Sequence, residues 1–144
     1  MVRAGSWEAF GGTTTTGVAV CGVSRSVDNS YFGLKLYSGD DSFTIQVAAK
    51  AWKIDDKAKI NVILTFDAQS SWNGPSTGMH FSDGDAGLEF TVKKSQIDLF
   101  MTEFRSSNQL RIRFENTGIA DWVLSLTGSN AVSEAFLKCN RSLK

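Results

Sequence analysis

The chain has 144 residues, of which 42% are hydrophobic and 21% are charged, with a formal net charge of zero at pH 7. This length suits one domain with its own core, and the composition argues against intrinsic disorder. Nucleic acid is a poor candidate partner, because 15 basic residues balance 15 acidic ones and no basic cluster stands out. We expect no membrane span, since the longest apolar runs fall far below the ~20 residues that a bilayer requires.

Residues 1–16 contain Gly11, Gly12 and four consecutive threonines, a composition that favours a flexible N-terminal arm. Trp7 and Phe10 are the residues in this segment that could anchor it. The sequence therefore divides into an arm over residues 1–16 and a single β-rich domain over residues 17–144.

The two cysteines are Cys21 and Cys139, and they lie near opposite ends of the chain. A disulfide suits such a pair better than a metal site, which needs three or four soft ligands. The pair also lacks the short spacing of Cys-x-x-Cys redox enzymes. A disulfide implies an oxidising compartment, so we expect a periplasmic or extracellular protein. The alternative is two buried free thiols in a cytosolic protein.

Most of the β-rich domain shows short alternating segments separated by polar turns. In the clearest of them, residues 59–67, Ile60, Val62, Leu64 and Phe66 share one side of the strand. Further strands are predicted over residues 17–25, 31–37, 42–49, 78–82, 87–93, 109–115 and 121–126. A Ser- and Asn-rich loop is predicted over residues 68–77, and a hairpin turn over residues 83–85.

The period changes at Ser95, which is a predicted N-cap. Ile97, Phe100, Met101 and Phe104 follow as an i, i+3, i+4, i+7 stripe and predict an amphipathic helix that ends near residue 107.

A second helix is predicted over residues 129–139, with Ser129 or Asn130 as its cap and Cys139 on its core face, where Cys21 could meet it. The fold class is mainly β (α+β), an antiparallel β-sandwich or barrel of about eight strands with two short helices in the C-terminal half.

No set of residues indicates a catalytic site. His80 is the single histidine, and an edge-strand or turn position is its expected role. Pairs of aspartates fall in predicted turns at residues 40–41, 55–56 and 83–85, where Asp is favoured for its bonds to backbone. A calcium loop after Asp83 would have Gly87 at a ligand position, and the glycines show no phosphate-binding order. We expect no metal and no cofactor.

The aromatic residues are the feature with promise for binding. Trp72 and Trp7 lie in segments with no periodic reason for burial, which makes them candidate contacts for a protein partner. The alternative for Trp72 is that its ring folds back and closes the end of the barrel. Tyr31 and Tyr37 flank a predicted strand and would extend the same patch if they lie at the same end of the domain.

The C-terminal sequence Trp-Val-Leu-Ser-Leu-Thr-Gly-Ser, residues 122–129, is followed by Ala-Phe-Leu-Lys-Cys, residues 135–139. Both segments resemble the closing strand and helix of small exported bacterial proteins of the invasion-associated locus B family. An early Trp, a Cys on a first strand and a Leu-x-Gly step recur in that family, and Trp7, Cys21 and residues 126–128 match them. The resemblance implies a β-rich periplasmic or surface-exposed accessory protein without known catalytic residues.

Together these features predict a non-enzymatic exported domain that binds an unidentified protein partner through its loops. A periplasmic inhibitor or immunity protein that blocks a toxin or hydrolase is one alternative. A carboxylate-based hydrolase that uses the aspartate pairs is the alternative from the enzyme class. A long hydrophobic edge strand would also allow a second copy to pair as a homodimer.

Overall fold

The computed structural model of the protein describes residues 2–67 and 70–143. Its strands are β1 (Val2–Ala4), β2 (Trp7–Thr13), β3 (Ala19–Val27), β4 (Ser30–Tyr37), β5 (Ser42–Ala49), β6 (Lys59–Phe66), β7 (Ser70–His80), β8 (Ala86–Lys93), β9 (Gln109–Phe114) and β10 (Trp122–Ser125). The helices are α1 (Ile97–Ser106), which follows a 3-10 turn over Lys94–Gln96, and α2 (Ser129–Ser142). None of the helices in these ranges is long and apolar enough to cross a membrane.

All ten strands belong to one antiparallel sheet in the order β1-β2-β3-β4-β5-β8-β7-β6-β9-β10. The first five strands follow one another as a meander, whereas β8 returns to pair with β5 and β6 pairs with β9. Residues 50–58 connect β5 to β6, and we call them the β5–β6 connection. It is tied to β7, because the Lys57 N–H donates to Gly78 O at 2.9 Å and the Gly78 N–H to Ala58 O at 2.7 Å.

The predicted β-rich class is confirmed, whereas the predicted sandwich or barrel is not confirmed and the number of strands differs from the predicted eight. Ten strands form one sheet, and no ladder joins β1 to β10 within the described ranges. The two edges approach each other through side chains and turns, since Trp7 Nε1 donates to Ser125 O at 2.9 Å. Both edge strands are short, which limits pairing with another chain. A homodimer therefore stays a prediction.

The predicted arm accounts for two of the additional strands. In place of a flexible segment, β1 and β2 pair with each other, and β2 pairs with β3 from Trp7 to Thr13. Its threonine tract forms the turn after β2, where the Thr14 N–H donates to Val18 O at 2.8 Å. Trp7 and Ala9 are buried in the core, and the burial of these two side chains is what holds the segment on the sheet.

The predicted loop over residues 68–77 is wrong for residues 70–77, which belong to β7; residues 68 and 69 lie outside the described ranges. This strand shows no alternation of apolar residues in the sequence, because small residues occupy its inner side and bulkier neighbouring groups fill the space above them. A Cβ on Gly74 would lie 2.6 Å from the Phe90 ring, and Gly78 lies under the β5–β6 connection. Ser76 is buried, and its hydroxyl donates to Ile60 O at 2.5 Å.

Helix α1 presents the predicted stripe to the core: Ile97, Phe100, Met101 and Phe104 are all buried. Phe100 makes edge-to-face contacts with Phe43 and Phe66, with ring centroids 5.4 and 5.3 Å apart. Such contacts are favoured by the quadrupoles of the rings. They fix the helix against one face of the sheet, which we call the inner face.

The helix starts differ from the predicted caps. Ser95 lies within the 3-10 turn, and Gln96 precedes α1 without a side-chain capping bond. Gly128, at φ 91°, precedes α2, where a left-handed residue brings the chain sharply around from β10. Ser129 is the first residue of α2 and is buried, so neither predicted cap forms.

The predicted disulfide between Cys21 and Cys139 is confirmed, with 5.9 Å between the two Cα atoms. It joins β3 to α2, and α2 also packs against β1, β2 and α1. The disulfide therefore ties the C-terminal helix to the N-terminal strands, and neither cysteine is a free thiol.

Candidate functional site

Trp7, a predicted contact residue, is only 1% exposed. Its ring packs edge-to-face with Phe32 and Phe104, at centroid distances of 5.8 and 4.9 Å. Its one polar atom, Nε1, is satisfied by Ser125 O. In this conformation the side chain offers no surface to a partner, and its contacts hold β2 against the core.

Trp72, the other predicted contact tryptophan, lies on β7 and is half-buried. Its Nε1 donates to Glu103 Oε1 at 3.0 Å, and its ring meets Phe100 at a centroid distance of 5.1 Å. Both contacts are with α1, so the side chain fastens that helix to the sheet. Binding of a partner through Trp72 stays a prediction.

Tyr31 and Tyr37 lie on the outer face of β4, opposite the buried Phe32, Leu34 and Leu36. The Tyr31 hydroxyl lies directly over Gly33, and its ring packs edge-to-face with Phe81 at 5.9 Å. Burial raises the pKa of Tyr31, and the charge of nearby Tyr37 raises it further. Both tyrosines lie on the outer face, whereas Trp72 contacts α1 on the inner face, so they do not extend a patch around Trp72.

Tyr31 and Phe81 lie in a cleft of about 530 Å³ on the outer face, which we call the outer cleft. One wall is residues 26–30, which include the β3–β4 turn, and the other is residues 81–85, between β7 and β8. Ala48, Lys50 and Lys35 complete the lining. The cleft thus combines aromatic rings with charges of both signs.

The wall at residues 26–30 is shaped by a two-residue hairpin turn. Asp28 and Asn29 both have positive φ, at 52° and 62°, as a type I′ turn requires. Asn and Asp tolerate this conformation better than other residues with a side chain. The Lys50 N–H donates to Asn29 O at 3.1 Å, so the turn is tied to the end of β5.

The opposite wall closes on itself through backbone bonds. The Phe81 N–H donates to Asp85 O at 2.9 Å, and Asp83 Oδ1 accepts the Asp85 N–H at 2.9 Å. Gly84 at the tip has φ 91°, which a glycine adopts without strain. The predicted turn over residues 83–85 therefore exists, and its aspartates line the outer cleft.

The floor of the outer cleft depends on small residues. A Cβ on Gly87 would lie 3.0 Å from Phe81 Cε2, so the ring rests on the strand. Ala48 is 3% exposed although it belongs to the outer face, because the cleft residues cover it. Phe81 carried no periodic signal in the sequence, and only its pairing with Gly87 across the turn distinguishes it.

Arg25 lies on the core side of β3, paired with Trp7 and Phe32. Its Nε is buried with no hydrogen-bond partner within the described ranges. Burial lowers the pKa of Arg25, and the charge of Asp28 partly offsets that effect. Asp28 thus interacts electrostatically with Arg25 on the inner face and also lines the outer cleft.

The predicted His80 and the other aspartate pairs lie outside the outer cleft. His80 is exposed at the end of β7, with Nδ1 4.0 Å from Asp56 Oδ1. Among residues 2–67 and 70–143, no three His, Cys, Asp or Glu side chains are grouped to hold a metal ion.

A second aromatic group lies between the β5–β6 connection and the edge strand β10. Trp52 stacks on Trp122 at a centroid distance of 5.1 Å and an interplanar angle of 29°, and both rings contact Phe114. An open pocket of about 440 Å³ beside it is lined by residues of the β5–β6 connection, by Ile60 of β6, and by Ile119 and other residues between β9 and β10. Its lining combines apolar residues with Asn116, Thr117 and one charge of each sign, Lys53 and Asp55, and it does not include the two facing aromatic rings of the outer cleft.

No protein-family model matches the sequence, and no curated protein matches it either. The crystal structure of invasion associated protein B from Bartonella henselae aligns with a TM-score of 0.62 at 12% sequence identity, and the alignment covers 98% of each chain. The two proteins share a fold. This full-length similarity agrees, at the level of architecture, with the resemblance predicted from residues 122–139 and from the early Trp and Cys. At this identity it carries no site or activity from one protein to the other.

Proposed function

We propose that the protein is an exported, non-enzymatic domain that binds another protein in the outer cleft. The observation that carries this proposal is the pair of partly buried rings, Tyr31 and Phe81, between two hydrogen-bonded walls that bear charges. Aromatic anchors in a preformed depression dominate the energy of many protein interfaces. Charges around them favour the correct partner and speed association.

Export is supported by the disulfide, since such bonds persist mainly in oxidising compartments. The fold shared with invasion associated protein B agrees with the resemblance to small exported bacterial proteins. Periplasmic or extracellular placement remains part of the proposal.

A carboxylate-based hydrolase is the second candidate, because Asp28, Asp83 and Asp85 all line the outer cleft. Their positions favour binding instead. Asp83 Oδ1 is already engaged by the backbone of its own turn, and Lys35 and Lys50 share the cleft with the three carboxylates. An inhibitor or immunity protein would use the same cleft and would differ only in lowering the partner's activity.

Selection of displayed peptides on the oxidised protein tests the proposal. We expect enriched peptides to bind Phe81→Ala at least tenfold more weakly than the unchanged protein, because one of the two aromatic rings of the cleft is lost. Phe10→Ala is the matched control, since Phe10 also covers a glycine, Gly22, on the outer face, but it does not line the cleft. Far-ultraviolet circular dichroism verifies that both variants fold.

Equal binding of the enriched peptides to both variants would overturn the proposal, as would the absence of any enriched peptide. A hydrolase would instead bind peptides through the cleft and cleave them. Loss of cleavage in Asp85→Asn, with binding retained, would favour that second candidate.

A further inference from the structure

We propose that the outer cleft selects a partner segment that presents an arginine side chain; this inference rests on the proposed function and names the chemistry that the cleft recognises. The two walls and the floor each contribute to it. Carboxylates stand on both walls, with Asp28 on one and Asp83 and Asp85 on the other, while two aromatic rings line the space between them.

A guanidinium group matches this arrangement in shape as well as charge. It is planar, remains charged at all relevant pH values, and stacks on aromatic faces while donating hydrogen bonds from its edges. Tyr31 and Phe81 meet edge-to-face, so the two ring planes are steeply inclined to each other, at 78°. An arginine that enters between the walls can lie against a ring and donate to a carboxylate at the same time.

Lys35 and Lys50 line the same cleft, and their positive charges affect which kind of cation the cleft favours. With two ammonium groups nearby, a small metal ion gains little, and the described residues group no three metal-ligating side chains. An arginine also gains from the aromatic rings, because its charge sits at the end of a flexible, largely apolar stem that can pack against them. The two lysines thus lower the affinity for any cation but leave arginine favoured over a free ion.

The carboxylates retain capacity for a donor. Asp83 uses Oδ1 to accept the Asp85 N–H, and its second oxygen has no hydrogen bond within the described residues. The Asp85 carboxylate lies in the same turn and also lines the cleft. A guanidinium presents several N–H groups in a fixed plane and can donate to more than one such oxygen.

Blocked tripeptides provide the probe, and nitrogen-15 NMR of the labelled, oxidised protein provides the measurement. Three peptides differ only in the central residue, which is arginine, its neutral analogue citrulline, or glutamate. We expect the arginine peptide to shift the backbone amide signals of Asp28, Tyr31, Phe81 and Asp85, and to bind at least fivefold more tightly than the citrulline peptide. Raising the salt concentration should weaken it, because exposed charges are screened.

Asp85→Asn should weaken the arginine peptide about threefold, the effect of losing one partly exposed ion pair. Lys50→Gln should tighten it by a similar factor, because a competing positive charge is gone. Asp40→Asn is the matched control, since it removes the same charge from an exposed turn that does not line the cleft, and it should leave the affinity unchanged.

Equal binding of the arginine and citrulline peptides, or preferential binding of the glutamate peptide, would overturn the inference. So would an Asp85→Asn variant that binds as tightly as the unchanged protein. The inference can fail while the proposed function stands: if displayed peptides without basic residues bind in a Phe81-dependent manner, the cleft binds protein segments and only the choice of arginine is wrong. If neither kind of peptide binds in the cleft, both proposals fall.

Discussion

Replacing Gly78 by alanine should destabilise the protein through one local clash. A Cβ at this position would overlap Asp55 O and lie 3.1 Å from both the Ala58 nitrogen and Ile54 Cγ2. These atoms belong to the β5–β6 connection, and two of them are backbone atoms that cannot rotate away. The connection would have to lift, which would strain or break its two backbone hydrogen bonds to Gly78.

The loss of two hydrogen bonds costs about 1 kcal/mol each, and overpacking at a tight contact adds about 1 to 3 kcal/mol. We therefore expect Gly78→Ala to lower the free energy of unfolding by about 2 to 5 kcal/mol, measured by urea denaturation. The stacked pair of Trp52 and Trp122 supplies a second measurement, because Trp52 belongs to the same connection. Exciton coupling of the two indoles in circular dichroism should decrease in the folded variant.

Gly12→Ala is the control for this substitution. Gly12 also lies in a strand, has no atom within 4 Å of an added Cβ, and does not have a left-handed conformation. Its replacement should be neutral or slightly stabilising, since alanine restricts the unfolded chain more than glycine does. If Gly78→Ala unfolds within about 0.5 kcal/mol of Gly12→Ala, the connection does not depend on that contact and the reasoning is refuted.

Removing the disulfide with Cys21→Ala and Cys139→Ala should lower the free energy of unfolding by up to about 5 kcal/mol, because the bond links positions 118 residues apart. Urea denaturation checks this, and a decrease in the free energy of unfolding below about 1 kcal/mol would show that the disulfide hardly constrains the unfolded chain. Burial raises the pKa of Tyr31, so in a Tyr37→Phe variant the remaining phenol should titrate above about 10, as followed by ultraviolet absorbance. Because the pKa of Tyr31 is higher in the folded state than in the unfolded chain, its neutral phenol makes a contribution to stability that is complete below about pH 10 and is lost as pH rises through the folded pKa. A titration midpoint at or below 10 would contradict the prediction.

Strands with one continuous apolar side could be predicted from the sequence because burial imposes a period of two on them. The predicted strand over residues 42–49 has the bounds observed for β5, and the prediction for residues 59–67 differs from β6 by one residue. The stripe of α1 is predictable for the same reason at a period near 3.6. In each case a single face meets the core, so the local pattern alone determines the element.

The missed strands depend on contacts with distant residues. β7 has glycine and serine on its inner side because Phe90 and the β5–β6 connection fill the space, and neither neighbour can be recognised from residues 70–80 themselves. The strand β2 contains a Gly-Gly-Thr sequence that favours disorder locally. It is ordered by pairing with β3 and by the burial of Trp7, whose hydrogen-bond partner Ser125 lies 118 positions away.

The outer cleft was only partly predictable. Tyr31 and the turn at residues 83–85 can each be recognised in the sequence, but their proximity results from the insertion of β8 beside β5, and the predicted Tyr37 does not line the cleft. That pairing order departs from the order of the strands along the chain, so residues 26–30 and 81–85 become neighbours only in the folded sheet. Of the two tryptophans, Trp7 is buried in the core, whereas Trp72 is only half-buried and its binding of a partner stays a prediction.

Glycines in strands usually weaken a sheet, because they add no side-chain packing and gain freedom on unfolding. On the outer face of this sheet an aromatic ring covers each of three such glycines, which restores packing on a surface that no helix protects. These pairs are Phe10 with Gly22, Tyr31 with Gly33, and Phe81 with Gly87. The rings of two of these pairs, Tyr31 and Phe81, contact each other and line the outer cleft. These two rings therefore stabilise the unprotected face and are also the rings that a partner would contact. Substitutions that test binding at Tyr31 or Phe81 must be accompanied by a measurement of stability. Phe10→Ala then reports the loss of stability that results from uncovering a glycine alone.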